Sequence, residues 1–475
     1  MNTNRPFECR DVLPQMLTRR DLLRTVSGGF GWLAFKALAH AETTATQAAS
    51  PLLPKAPHFA ARAKRVIFLA MQGGPACQDT FDYKPKLNAD SGKPGIARGA
   101  GSKLFGSPFK FSQSGQSGLW ISELFPNLAK QADEMCLVRS MHTDIPNHPQ
   151  AFVQLHTGSA QFVRPSMGAW MLYGLGTENQ NLPGFITINP PVQFGSQNYG
   201  SAFLPAIYQG TRIGAAREKD GDGAAGAAAR IPNITNSDLP RELQRKQLDL
   251  VQAMNRDFLY STNGDREVEG VIESFELAFR MQSEIPRVME FTKETPETLK
   301  LYGIGERQTD GFARQCLMAR RFIEAGVRFV EVCQPGWDQH QNLTTALQKN
   351  CSAIDQPIAA LLQDLKSRGL LKDTLVVWGG EFGRTPDGRR PDGRDHNAKG
   401  YTMWMAGGGV KGGLSYGSTD DYGYKAVENP VHVHDLHATM LHLMGLDHEK
   451  LTFNYAGRNF RLTDVHGNVV KALMA

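Results

Sequence analysis

The feature that most constrains this chain is the alternation of short, apolar-rich runs with longer stretches of helical periodicity. RVIFLAM at 65–71, VRFVEVC at 327–333 and TLVVW at 374–378 are each too short for a helix, and each gives way to glycine-containing sequence. TMWMA at 402–406 is a further run of this kind. Residues 311–326 and 351–370 carry apolar side chains at helical spacing and feed directly into the runs that follow them; 434–443 repeats the pattern. Strands apolar on both faces need cover on both faces, and helices supply it. The reading is an α/β fold around a mostly parallel sheet. With 475 residues, 41% of them hydrophobic, the chain can bury a large core. Residues 42–60 are rich in Ala, Thr and Pro and read as a linker. The stretch GAAREKDGDGAAGAAAR reads as surface loop, so the expected domain is 61–475 with a loop and helical insertion around 200–300.

The net charge of +5 is concentrated at the N-terminus. The first 41 residues hold six Lys/Arg and three Asp/Glu, which leaves +2 for the rest. With no basic run interleaved with aromatics, nothing points to nucleic acid. Arg19 and Arg20 precede the modestly apolar SGGFGWLAFKALAHA, and Ala39-His40-Ala41 has the small-x-small pattern of a signal-peptidase site. The expectation is a twin-arginine signal peptide over 1–41 and export by the twin-arginine translocase to the periplasm or beyond. No run in the remainder reaches the roughly 18 apolar residues of a membrane-spanning helix. Of the six cysteines, Cys9 lies in the leader, and Cys77, Cys136, Cys316, Cys333 and Cys351 form no CxxC pair. Neither a disulfide framework nor a thiolate zinc site is indicated.

In an open parallel sheet, ligands sit beyond the carboxyl ends of the strands. The sequence places charged clusters there: Asp79 and Asp82 in GGPACQDTFDYKP, Asp338 and His340 in QPGWDQHQN, and Glu381, Arg384, Asp395 and His396 in WGGEFGRTPDGRRPDGRDHN. SMHTDIPNHPQ adds His142, Asp144 and His148 in what reads as a loop. Carboxylates combined with imidazoles suit a divalent metal such as zinc, manganese, magnesium or calcium. In VHVHDLHATMLHLMGLDH, Asp435 reads as a helix cap, and His437 and His442 as packing rather than ligation.

The motifs GGPACQDTFDYKP, NHPQAFVQLHTGS, GWDQHQN, GGEFGRTP, GRDHN and VHDLHATMLHLMGL together resemble the bacterial sulfatase-like family called domain of unknown function 1501. That family is similar to the alkaline phosphatase and sulfatase superfamily, which implies an alkaline-phosphatase-like α/β/α sandwich and chemistry on phosphate or sulfate esters at metal ions. By this resemblance Asp338, His340 and His396 stand in the places of one metal's ligands. Glu381 stands for a second metal, with Asp79 its substitute partner by proximity. Sulfatases carry Cys or Ser nine residues before a Thr-Gly; here Thr157-Gly158 is preceded at that distance by His148. An imidazole cannot become the formylglycine of sulfatases, so a metal-bound hydroxide is the simplest nucleophile left. Thr143 and Ser140 are hydroxyl alternatives. Arg384 reads either as a bidentate anion contact or as an ion-pair partner of Asp387 or Asp395, and Asp395 as the orienting partner of a ligating histidine. Two functions follow. One is an exported metal-dependent hydrolase of sulfate or phosphate esters, with sulfated polysaccharide among the candidate substrates. The other is a non-catalytic binding protein that keeps the fold without the nucleophile.

Overall fold

The computed structural model describes residues 50–96, 101–192, 195–214, 234, 238–261 and 266–475; the leader and most of the Gly/Ala-rich stretch lie outside the described residues. Eleven strands concern us here: β1 (Arg65–Met71), β2 (Met135–His142), β3 (Phe185–Ile188), β4 (Thr211–Ile213), β5 (Phe329–Gln334), β6 (Thr374–Gly379), β7 (Tyr401–Ala406), β8 (Leu414–Tyr416), β9 (Val431–His432), β10 (Phe453–Tyr455) and β11 (Arg458–Phe460). Nine of them form one sheet in the order β8-β2-β7-β6-β1-β5-β3-β4, with β9 also paired to β2; β10 and β11 form a separate hairpin. β1 lies between β5 and β6, parallel to both, as the three apolar-rich runs predict. β7 runs antiparallel to β6 and β2, so the sheet is mixed but mostly parallel.

Helices cover both faces: α1 (His148–Thr157), α2 (Met167–Leu175), α3 (Arg241–Ser261), α4 (Arg266–Met289), α5 (Pro296–Tyr302), α6 (Asp310–Glu324), α7 (Leu343–Ser367) and α8 (Val433–Leu443). Alternate residues of the central strands enter two separate cores. Ile67, Leu69, Val330, Val332, Val376 and Trp378 pack with Leu317 and Phe322 of α6 and Ile354 and Leu361 of α7. Val66, Phe68, Phe329, Leu375 and Val377 pack with Trp170 of α2 and Leu436 and Met440 of α8. Burial of β6 along its whole length explains why its sequence shows no polar alternation.

Three boundaries differ from the sequence expectation. Residues 51–60 are partly docked rather than a free linker: Leu52 is buried, and the Lys55 and His58 amides donate to Leu175 and Gly445. Helix α7 starts at Leu343, eight residues before the expected Cys351, because its first turns also bury Leu343 and Leu347. SMHTDIPNHPQ is only partly loop, since Ser140–His142 end β2 and His148 opens α1. His437 is fully buried in α8, and His432 rather than Asp435 is the cap, with Asp435 at the third helical position accepting from the His432 amide to close a capping box. Among the described residues, no helix is long and apolar enough to cross a membrane.

Candidate metal centre

The centre forms where β1, β5 and β6 end together. After β1 the chain turns through Gly73, whose φ is +115° and whose Cβ position would lie 2.5 Å from the Asp338 amide nitrogen. Only glycine admits that approach of the β1 turn to the segment following β5. The Gly73 amide donates to both Glu381 oxygens, at 3.0 and 3.2 Å, which ties the β1 turn to the end of β6. Beyond Glu381, Gly383–Arg384 pairs antiparallel with His396–Asn397, Arg384 opposite His396. The intervening loop is closed by Thr385 N–H to Asp395 O at 2.9 Å and Arg394 N–H to Gln339 O at 3.3 Å. These bonds bring His396 back to the strand ends.

One carboxylate oxygen is the hub. Asp338 Oδ1 lies 3.0 Å from His148 Nε2, 3.0 Å from His340 Nε2, 3.2 Å from His396 Nε2 and 2.6 Å from the Arg384 guanidinium. The far nitrogen of each imidazole faces an oxygen in turn. His148 Nδ1 is 2.6 Å from Glu381 Oε1, His396 Nδ1 is 2.8 Å from Pro146 O, and His340 Nδ1 is 3.3 Å from Asp395 Oδ1. An acceptor at Nδ1 holds a proton there, so a neutral ring turns its Nε2 lone pair inward, whereas a ring carrying a second proton donates from Nε2 to Asp338. His340 and His396 then face each other Nε2 to Nε2 at 2.9 Å. Two lone pairs at that distance repel unless a cation, proton or metal, lies between them. The 2.9 Å separation is that of a hydrogen bond sharing one proton; tetrahedral ligands at about 2.0–2.1 Å from an ion sit about 3.3 Å apart, so a metal here needs the two rings to part by a few tenths of an ångström. Among the described residues, His148, Asp338 and His396 form the group of ligating atoms compact enough to hold an ion.

Electrostatics follow from the same contacts. Burial alone would lower the His148 pKa, but the Asp338 and Glu381 carboxylates outweigh it and raise it to about 8. For Asp338, burial disfavours the charge, and the bonds from His148 and His396 with the Arg384 guanidinium overcome it, holding the carboxyl well below its usual range. The His340 pKa is lowered, by burial first and by Arg384 and His396 besides.

The expected site residues therefore divide. Asp338, His340 and His396 converge as the resemblance implies, and His148 joins them as a donor. Glu381 stands behind His148 as its orienting partner, with both oxygens also engaged by Gly73. Asp395 Oδ1 lies beside His340 Nδ1 as a charged neighbour without a hydrogen bond to it. Arg384 is fully buried and pairs with Asp338 instead of Asp387 or Asp395. Its Nε donates to Gly74 O at 2.9 Å and its Nη2 also to Gly73 O and Trp337 O, so it braces the strand ends. Asp79 is not brought to the cluster. Both its oxygens bond Arg394, at 2.7 and 3.0 Å, and both side chains are fully buried, which commits it to an internal ion pair. The hydroxyls of Ser140 and Thr143 are likewise engaged, with Asn429 O at 2.6 Å and Gln154 Oε1 at 3.0 Å.

Residues 63–474 match the family described as "Protein of unknown function (DUF1501)", and the chain belongs to that family. No curated protein matches the sequence. Similar solved structures include the PsFucS1 sulfatase from Pseudoalteromonas sp., 13% identical, covering 87% of this chain and 72% of that one with a TM-score of 0.37. A protein of the alkaline phosphatase superfamily from Vibrio parahaemolyticus is 11% identical over 84% of this chain and 70% of its own, with a TM-score of 0.33. A mutant TAB5 alkaline phosphatase with Mg bound is 11% identical over 73% and 92%, with a TM-score of 0.30.

Two outcomes check this centre by metal analysis and calorimetry. H148A and H396A lose bound zinc, whereas D79A keeps it per folded molecule but loses about 3–5 kcal/mol of stability through its orphaned buried arginine. Because His148 must shed its proton to ligate, apparent zinc affinity rises about tenfold per pH unit up to about 8 and then flattens.

Proposed function

We propose that this protein is an exported, metal-dependent hydrolase of sulfate or phosphate esters. The observation that carries the proposal is the set of three histidines whose Nε2 atoms converge on Asp338 Oδ1, two of them, His148 and His396, with hydrogen-bonded Nδ1 atoms. Asp338, His148 and His396 would hold a divalent metal, with His340 closing the group. Zinc suits the imidazole-rich set best, and manganese, magnesium or calcium are the alternatives. When bound, such an ion supplies a Lewis acid for an ester oxygen and lowers the pKa of a bound water. The residues do the rest. Glu381 fixes His148 and keeps its Nε2 turned to the centre, Pro146 O does the same for His396, and Arg384 balances the negative charge of Asp338 from the buried side. Glu381 is spent on Gly73 and His148, and Asp79 on Arg394, which favours a single ion.

A cavity of about 1310 Å³ adjoins the centre at His396, lined also by Lys399, Lys425, Tyr422 and Tyr424. Three carboxylates line it as well: Asp144 accepts from Gln154, Asp420 accepts four successive loop amides, and Asp421 pairs with Lys86. Neither Lys399 nor Lys425 has an ion pair with a described residue, so both ammonium groups line the space beside His396 together with those carboxylates. This supports an anionic ester as substrate, and a sulfated polysaccharide is the candidate with rings for the tyrosines to contact.

The second reading, a non-catalytic binder, draws on His148 standing where a nucleophile is expected and on the engaged hydroxyls of Ser140 and Thr143. Zinc-loaded protein assayed with p-nitrophenyl sulfate and p-nitrophenyl phosphate separates the two. The proposal expects turnover of at least one ester, lost by at least about 100-fold in D338A; no turnover of either with full zinc occupancy favours the binder. Export belongs to the same proposal and rests on Arg19-Arg20. The R19K/R20K double variant should remain in the cytoplasm as precursor, and unchanged export in fractionated cells would remove the twin-arginine route.

A further inference from the structure

Helix α3 forms a hairpin with α4, held by paired Arg245–Glu276 bonds at 2.8 and 2.9 Å and by Gln252 donating to Ile272 O at 2.7 Å. Its inward stripe is Gln244, Leu248, Gln252, Asn255 and Leu259, which are buried or half-buried. A second stripe runs along the same helix, about 110° round at 3.6 residues per turn. It consists of Leu243, Gln247, Leu250, Val251, Met254 and Phe258, all exposed and none charged. Leu250 and Met254 are each 66% exposed and Phe258 58%. The charged residues Glu242, Lys246, Asp249, Arg256 and Asp257 lie on the remaining arc. Monomers rarely leave so long a largely apolar stripe exposed to solvent; it amounts to on the order of 500 Å².

The order of residues in the stripe says what covers it. Counted from the peptide between Leu250 and Val251, the stripe is symmetric in position: 243 mirrors 258, 247 mirrors 254, and 250 mirrors 251. A two-fold axis through that peptide, perpendicular to the helix, sets an antiparallel copy alongside with every stripe residue facing a stripe residue. Leu243 meets Phe258 of the partner subunit, Gln247 meets Met254 of the partner subunit, and Leu250 meets Val251 of the partner subunit. Such self-complementarity is what an isologous contact requires and what a foreign partner does not. The same axis puts Lys246 on the rim within about 3 Å of axial rise from Asp257 of the partner subunit, at 1.5 Å per residue, once on each side. Neither residue has an ion pair with a described residue of its own chain. The charges along α3 are nearly balanced, four basic against three acidic, which lacks the cationic bias of a helix that lies on an anionic membrane. Two stripes buried together remove about 1,000 Å², the lower bound of a specific interface.

We propose that α3 is a homodimerisation helix, pairing with α3 of a second copy in antiparallel fashion so that the two α3–α4 hairpins form a four-helix junction. The proposal is independent of any reading of the metal centre. It is tested by sedimentation of the mature protein at about 50 µM, above the micromolar Kd of a small interface. The wild type is expected at the mass of two chains. L250E, changed at an exposed position, is expected at the mass of one chain with an unchanged circular dichroism spectrum. The described cysteines are all buried, so a cysteine introduced by V251C next to the axis should cross-link two copies on mild oxidation, and one introduced by R256C should not. A single-chain wild type, a dimeric L250E, or equal cross-linking of V251C and R256C overturns the proposal. So does a monomer that binds phosphatidylglycerol/phosphatidylethanolamine vesicles through Leu250, which would assign the stripe to a lipid surface.

Discussion

A single carboxylate oxygen, Asp338 Oδ1, is approached by three imidazoles and a guanidinium that come from three segments of the chain: the start of α1, the turn after β5 and the loop after β6. That concentration of donors around one acceptor determines much of what surrounds it. Two of the imidazoles are fixed through their far nitrogens, His148 by Glu381 and His396 by Pro146 O, and His340 has Asp395 as a charged neighbour. Glu381 can fix His148 only if the end of β6 is tied to the turn after β1, and the Gly73 amide ties it. Gly73 in turn must lack a side chain, because the Asp338 backbone occupies the space a Cβ would need. The requirements run in a closed circuit from β1 to β5 to β6.

Two buried arginines keep that circuit in place from opposite sides. Arg384 spans the Gly73 and Gly74 carbonyls, the Trp337 carbonyl and Asp338, so one planar group with fixed donors joins the ends of β1 and β5. Arg394 does the comparable work for the loop that returns His396, pairing with Asp79 and donating to Thr385 O at 3.3 Å. Burial of a guanidinium is costly unless its charge and donors are answered; those of Arg394 are, whereas Nη1 of Arg384 is buried without a hydrogen-bond partner among the described residues. The charge in the loop after β6 is therefore partly internal scaffolding and partly the centre itself.

The architecture was legible because the central strands are buried on both faces and so appear as apolar-rich runs, while β7 betrays its antiparallel direction in no residue pattern. Asp338 and His340 were legible as a pair two residues apart at a strand end, and His396 as the far end of a long Gly/Pro-rich loop. The partners of these groups were not. Glu381 lies 233 residues from the His148 it orients, and Asp79 lies 315 from the arginine that claims it. A carboxylate awaiting a metal and one paired with a distant arginine look alike in sequence. His148 was singled out by its distance from Thr157-Gly158, which locates it but says nothing of its ring nitrogens. The outward stripe of α3 is plain in periodicity once α3 is known to be a helix whose other face is occupied; within an expected insertion, it carried no signal of its own.

The central claim is that this cluster is a metal centre with three imidazole donors. X-ray absorption at the zinc edge of protein reconstituted with one equivalent of zinc tests it most directly. The account predicts a four-coordinate shell of nitrogen and oxygen at about 2.0–2.1 Å, with the multiple-scattering pattern of two or three imidazoles and loss of that pattern in an H148A/H396A double variant. A six-coordinate, oxygen-only shell, or a spectrum unchanged in the double variant, would contradict it.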